Sequence, residues 1–225
     1  MTYFIKPPTY KLGLDFGYER DYSTVVVLEY SVFQNGKHDP TNWQWIHEHR
    51  FHIRHIERIP LKTDYTAVAD YIRDFVTHPA LLHNTEVVLD CSGVGRAVYS
   101  IFLTRSIAAK LRPVQFTSGD NVRQVDDKWH IPRSVLLTNL HTMFANRHIK
   151  IGRRVPHAPE LLDELHSLQM RISRAGNDSI QPALSTGHDD LAIAAALAAF
   201  FPSHNNPAIY PRMKGTHPNL ANSPY

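Results

Sequence analysis

The chain has 225 residues, 43% of them apolar and 20% charged, with a formal net charge of +3 and one cysteine. That length supports one sizeable core, with a single α/β domain as the default, and the lone Cys91 excludes an internal disulfide framework. The N-terminus is not signal-like and no apolar run is long enough to span a bilayer, so the chain is expected to be cytoplasmic, with no membrane partner. A small positive balance is compatible with a polyanionic partner and excludes little else.

In chain order, Lys11 to Asp15 is an apolar run that ends on a carboxylate, and the turn after it leads into "STVVVLEY", whose β-branched residues predict a strand. The two are expected to form a hairpin. A third strand is expected in "NWQWIHEHRFHI", where period two puts Trp43, Trp45, Phe51 and Ile53 on one face and Gln44, Glu48 and Arg50 on the other. From Asp64 to about Val76 the spacing becomes helical, through Val68, Tyr71, Ile72 and Phe75, with Asp64 available as N-cap. "EVVLDCSGVGRAV" repeats the opening pattern: an apolar run ends on Asp90 before glycines turn the chain into a helix. "RPVQFTSG" predicts a further strand, and "IPRSVLLTNLHTMF" a helix with Pro132 near its start and an apolar stripe of Leu136, Leu137, Leu140, Met143 and Phe144. Another helix is expected near Leu161 to Met170. In "STGHDDLAIAAALAAFF", Asp189 and Asp190 open a helix so apolar that it must be buried nearly all round. The Pro- and Asn-rich residues 202–225 are expected to form a flexible tail behind a domain of residues 1–201.

This order predicts an α/β fold: a mixed sheet of about five main strands, the first three antiparallel, with helices on both faces and a functional cleft at the strand ends. A carboxylate left charged and unpaired at a buried strand end costs several kcal/mol, so Asp15 and Asp90 require a proton, a cation or a partner. Their placement, together with "GLDFGYERDYSTVVV", "VVLDCSGVGRAV", "WHIPRSVLLTNL" and above all "GHDDLAIAAALA", resembles the nuclease domain of the large terminase subunit of tailed bacteriophages, a ribonuclease H-like fold. The resemblance covers most of residues 10–201. It departs from the family at Arg133, where a lysine is usual, and the sequence has neither the ATPase domain that normally precedes the nuclease nor any G-x-x-x-x-G-K-[ST] loop, so it is not expected to act as a motor alone.

The resemblance implies a metal-dependent endonuclease that cuts double-stranded DNA with little sequence specificity during genome packaging in the bacterial host. A separate packaging ATPase, the small terminase subunit and the portal are then the implied partners. It also implies two divalent cations, Mg2+ or Mn2+, which prefer the oxygen ligands that aspartates supply. On this reading Asp15 bridges the two ions, Asp90 binds one, Asp189 and Asp190 serve the other as ligand and supporting carboxylate, and Asp21 reaches the edge of the cluster. His188 and Arg133 are candidates for contact with phosphate or bound water.

Simpler readings compete. Asp15 and Asp90 also suit turns, one of Asp189 and Asp190 suits an N-cap, Gly93 and Gly95 suit any tight strand-to-helix turn, and Cys91 suits a small buried apolar site. His47, His49, His52 and His55 look like a metal cluster, but strand alternation separates His47 and His49 from His52. Arg147, Lys150, Arg153 and Arg154 form a basic run that suits either a solvated surface or the DNA backbone. A Holliday-junction resolvase or transposase would use the same carboxylates, and "LDFGYERDYST" also resembles the phosphate hairpin of actin-like nucleotide-binding proteins.

Overall fold

A computed structural model of the chain describes residues 3–174 and 189–204. Its strands are β1 (Tyr3–Phe4), β2 (Thr9–Asp15), β3 (Ser23–His38), β4 (Trp45–Ile59), β5 (Thr85–Asp90), β6 (Lys110–Thr117), β7 (Arg123–Val125), β8 (Lys128–Pro132) and β9 (Ile149–Ile151). The helices are α1 (Tyr65–Phe75), α2 (Gly95–Leu103), α3 (Arg133–Ala145), α4 (Ala158–Arg174) and α5 (Asp190–His204).

All the strands join one mixed sheet in the order β7-β8-β6-β5-β2-β3-β4-β9, with β1 paired to the far end of β3. Its inner five, β4-β3-β2-β5-β6, have β2, β3 and β4 antiparallel and β5 and β6 parallel to β2. This is the ribonuclease H-like arrangement. The additional strands β1, β7 and β9 are two or three residues long, too short to show a period, and β8 lies in the residues that lead into α3.

Two cores cover the sheet, one on each face. Leu12, Leu14, Val87 and Leu89 pack against Val68 and Ile72 of α1 and Val98 and Phe102 of α2. On the other face Val26, Ile53 and Val88 pack against α3, α4 and the whole of α5, which is buried from Asp190 to Ser203. The helix can lie there because a Cβ on Gly13 would stand 1.8 Å from the Ala194 carbonyl oxygen, so any larger residue would push α5 off β2. Strand alternation then fixes where the carboxylates go. Asp15 follows Gly13 onto the α5 face, and Asp90 follows Val88 there.

The third strand departs from the simple alternation in two ways. Val27 pairs with His55 but Leu28 pairs with Ile53, so Arg54 is the extra residue of a β-bulge. Phe51, Ile53 and Ile56 therefore all enter the α5-side core despite their odd and even numbers. In addition, Trp43 and Trp45, expected on one face with Phe51 and Ile53, are 77% and 47% exposed: Trp43 lies in the turn before β4 with a φ of 57°, and Trp45 is the first residue of the strand. Asp64 is the N-cap residue of α1, yet its side chain makes no capping hydrogen bond.

Helix α5 continues through Pro202 to His204, past the expected start of the tail. Ser203 is buried, accepting a hydrogen bond from Asn139 Nδ2 at 2.8 Å and donating to the Ala199 carbonyl at 2.7 Å, which ties α5 to α3. Residues 205–225 lie outside the described residues. Truncation after His204 is expected to leave the melting temperature within about 1 °C of the full chain, since that polar, proline-rich stretch lacks the apolar surface to offset its ordering entropy. A drop of several degrees in a thermal melt would show that the segment packs on the body. Truncation after Pro202, by contrast, removes Ser203 and should lower the melt.

Candidate active site

Strands β2 and β5 are adjacent and parallel, with Leu14 opposite Leu89, so their last residues, Asp15 and Asp90, finish side by side. Asp15 is half-buried, and among the described residues no donor bonds its carboxylate. Burial pushes its pKa well above the usual carboxylate range; Asp90 adds to that shift, Arg133 opposes it, and Asp189 and Asp190 add again. Asp90 is also half-buried and raised by burial, with Ser92 and Arg133 opposing. Its Oδ1 accepts the Ser92 backbone N–H at 2.7 Å, and Ser92 Oγ accepts the Phe116 N–H at 2.8 Å, which locks the turn after β5 to β6. Gly95 lets α2 begin there, because a Cβ at this position would stand 2.2 Å from the Asp90 carbonyl oxygen.

The two acids at the start of α5 have different environments. The Asp189 carbonyl accepts the Ile193 N–H at 2.9 Å, the first bond of the helix, while its one-third-exposed carboxylate pairs with Arg133 Nη2. Asp190 is only 4% exposed, and both its oxygens are committed. Thr24 Oγ1 donates to Oδ2 at 2.6 Å, Arg58 Nε to Oδ2 at 3.0 Å, and Arg58 Nη2 to Oδ1 at 3.2 Å. The same Nη2 reaches Glu164 Oε1 at 3.0 Å, and Glu164 Oε2 accepts the Ala192 N–H at 2.8 Å near the start of α5. Asp190 is thus an anchor for the helix, and Asp189 is the more exposed acid of the pair, bound to Arg133, whose charge also acts on Asp15 and Asp90. Thr24, Arg58 and Glu164 have no motif in the sequence; the pairing of Thr24 with Arg58 across β3 and β4 brings those two together, and Glu164 reaches them from α4.

Burial, with Asp190 and Asp189 close by, pushes the Glu164 pKa up to about 8, against the opposing Ala192 N–H and Arg58. A carboxyl whose folded pKa is raised favours the fold most below its unfolded value near 4.5 and loses that contribution as pH climbs to about 8. The melting temperature of the wild type is therefore expected to fall across this window more steeply than that of Glu164→Gln, which carries no proton to lose. Parallel pH profiles for the two proteins would contradict the assignment.

Asp21, expected at the edge of the cluster, lies in the exposed turn after β2, and the charges acting on Asp15 come from Asp90, Arg133, Asp189 and Asp190 instead. His188 lies outside the described residues. Arg133 begins α3 and stands among the carboxylates; its Nε is buried with no hydrogen-bond partner among the described residues, a donor free for an anionic oxygen. Among the described residues, no group of three His, Cys, Asp or Glu side chains is set to hold an ion as it stands. The positive charge beside Asp189 is the Arg133 guanidinium. The oxygen-only donor set of Asp15, Asp90 and Asp189 is of the chemical type that hard divalent cations prefer. Cys91 is buried and its thiol is pushed up to about 12 by desolvation and then by Asp90, so it is inert at neutral pH.

No family model matches the chain, and neither does any curated protein. Among solved structures, the chain is similar to the large terminase nuclease from thermophilic phage G20c, with 19% identity and a TM-score of 0.49 over 88% of this chain and 86% of that one. The same phage nuclease with bound zinc aligns at 20% identity with a TM-score of 0.49, over 88% and 85% of the two chains. The human cytomegalovirus terminase nuclease domain, soaked with manganese and with inhibitor bound, aligns at 13% identity with a TM-score of 0.41, over 88% and 83%. No helix among the described residues is long and apolar enough to cross a membrane.

Proposed function

We propose that this chain is a metal-dependent endonuclease that hydrolyses phosphodiester bonds of double-stranded DNA with little sequence preference. The observation that supports this reading is Asp15: a half-buried carboxylate with no donor among the described residues, at a strand end beside Asp90 and within the electrostatic reach of Asp189 and Asp190. Burial and the neighbouring acids raise the Asp15 pKa, which a fold tolerates at neutral pH when cations or protons compensate. Two divalent cations, when bound, activate the attacking water and stabilise the leaving oxygen.

The chain's own groups have distinct tasks on this reading. Asp15, Asp90 and Asp189 would supply the carboxylate oxygens that hold the ions, with Asp15 as the principal ligand. Arg133, released from Asp189, turns its guanidinium to the scissile phosphate and holds it in line. Asp190 does not meet the substrate; with Thr24, Arg58 and Glu164 it fixes the start of α5 and hence the position of Asp189. In genome packaging, this nuclease would work in the host cytoplasm with a separate ATPase, a small terminase subunit and a portal.

The test is supercoiled plasmid incubated with the protein and Mg2+ or Mn2+. Nicked and linear products without a preferred site, suppressed by EDTA and strongly weakened by salt, are expected, since phosphate contacts carry no base information and release counterions. Intact plasmid with nucleotide hydrolysis would replace this reading by the actin-like one. Cutting confined to four-way junctions would replace it by a resolvase.

A further inference from the structure

Resting on the nuclease reading, we propose that the β4–β9 edge of the sheet is a second contact for DNA, a track for duplex phosphates separate from the cleavage cleft. A groove of about 180 Å³ lies there, lined by Glu48, His49, Arg50, His52, Arg147, His148 and Lys150. Its single acid, Glu48, is paired with Arg50 at 2.6 Å, and Arg50 is itself held over the Phe33 ring at 4.1 Å. Exposed Arg147 and Lys150, and the exposed Arg153 and Arg154 just beyond β9, form no salt bridge among the described residues. His49 donates to or accepts from Tyr30 Oη at 2.8 Å, which orients its ring in the groove wall. Positive charge is thus gathered on one surface in excess of its single acid, Glu48, which is the footprint expected for a polyanion.

The chain's pairing sets the distance from the cleft. Phe51 and Ile53 of β4 lie opposite Ile149 and Ile151, while Arg58 at the other end of β4 reaches Asp190. His52 and Arg58 pair with Glu29 and Thr24, five residues apart along β3 and so about 17 Å at the rise of a strand, and β9 stands three strands from β2, about 14 Å across the sheet. Arg153 and Arg154 follow the cleft-directed end of β9. A duplex carries a charge every ~1.7 Å of its axis, so one molecule of DNA can lie in the cleft and on this edge together. Exposed lysine and arginine side chains on a sheet edge, with no helix or strand set to enter a groove, hold phosphates without reading bases.

The experiment uses the full chain in EDTA, so that nothing is cut, and follows a fluorescent 30-base-pair duplex by anisotropy over a series of salt concentrations. Lys150→Gln/Arg153→Gln/Arg154→Gln alters only exposed side chains and is expected to melt with the wild type. It should bind at least about tenfold more weakly near 0.1 M salt, with a log–log salt slope shallower by about 2 to 3. Binding and slope equal to the wild type, or a loss matched by a glutamate homopolymer competing as well as DNA, would overturn the track. The nuclease reading is judged separately by plasmid cleavage with Mn2+: a wild type that cuts while the triple variant binds normally loses only the track, and a wild type that binds through these residues but never cuts loses only the nuclease.

Discussion

Asp15→Asn is expected to lower DNA cleavage by about three orders of magnitude or more while raising the melting temperature of the metal-free protein by a few degrees. The two effects come from one cause. In the wild type, burial and the neighbouring acids raise the Asp15 pKa well above the usual range, so holding its charge at neutral pH works against the fold. Because the folded pKa is raised, the favourable contribution of the protonated form is present at low pH and is lost as pH rises; asparagine removes that loss and keeps the shape. The same substitution removes an oxygen ligand, and ion-based stabilisation of the transition state worth several kcal/mol corresponds to roughly 10³-fold in rate. Plasmid assays and thermal melts in EDTA check both halves. Wild-type cutting by Asp15→Asn would return Asp15 to the role of a turn residue.

Arg58→Met should have the largest effect on stability. Its guanidinium is the donor shared by Asp190 and Glu164, with side chains 4% and 9% exposed. Removing one partner from a buried ionic group costs about 3–5 kcal/mol. For a chain of this size that is a fall of roughly 6–20 °C in melting temperature at about 2–4 °C per kcal/mol. Adding Asp190→Asn to Arg58→Met should recover part of the loss, because the orphaned charge is gone. Cleavage should fall as well, since Asp189 depends on this anchor for its place. A melt within 2 °C of the wild type for the single variant would show that the network is not what holds α5.

The inner sheet and the carboxylates at its strand ends were legible in the sequence because both follow from period two. Apolar runs that end on Asp15 and Asp90, and a helix apolar on every side after Asp189, leave few other folds open. The anchor was not legible, for reasons of geometry. With Phe51 and Ile53 taken as the buried face of β4, alternation places Arg58 on the opposite face; the bulge at Arg54 reverses it onto the α5 side. A single inserted residue in a strand leaves no compositional trace, so a partner 132 positions from Asp190 was hidden. The same pattern, carried back too far along the chain, grouped Trp43 and Trp45 with Phe51 and Ile53, while Trp43 sits in the turn before β4 and both tryptophans are exposed. Which of Asp189 and Asp190 faces the cleft also turns on rotation about a helix start, where adjacent side chains diverge by about 100° and the residue type is the same. Asp21 lay close to Asp15 in sequence, but the turn carries it into solvent.

Calorimetric titration of Mn2+ into the wild type and into Asp15→Asn addresses the metal centre most directly, because it needs neither DNA nor turnover. Saturable binding of two ions per chain at up to millimolar concentration, lost or reduced to weak single-site binding in Asp15→Asn, is the predicted result. No binding by the wild type at that concentration, or identical isotherms for the two proteins, would contradict it.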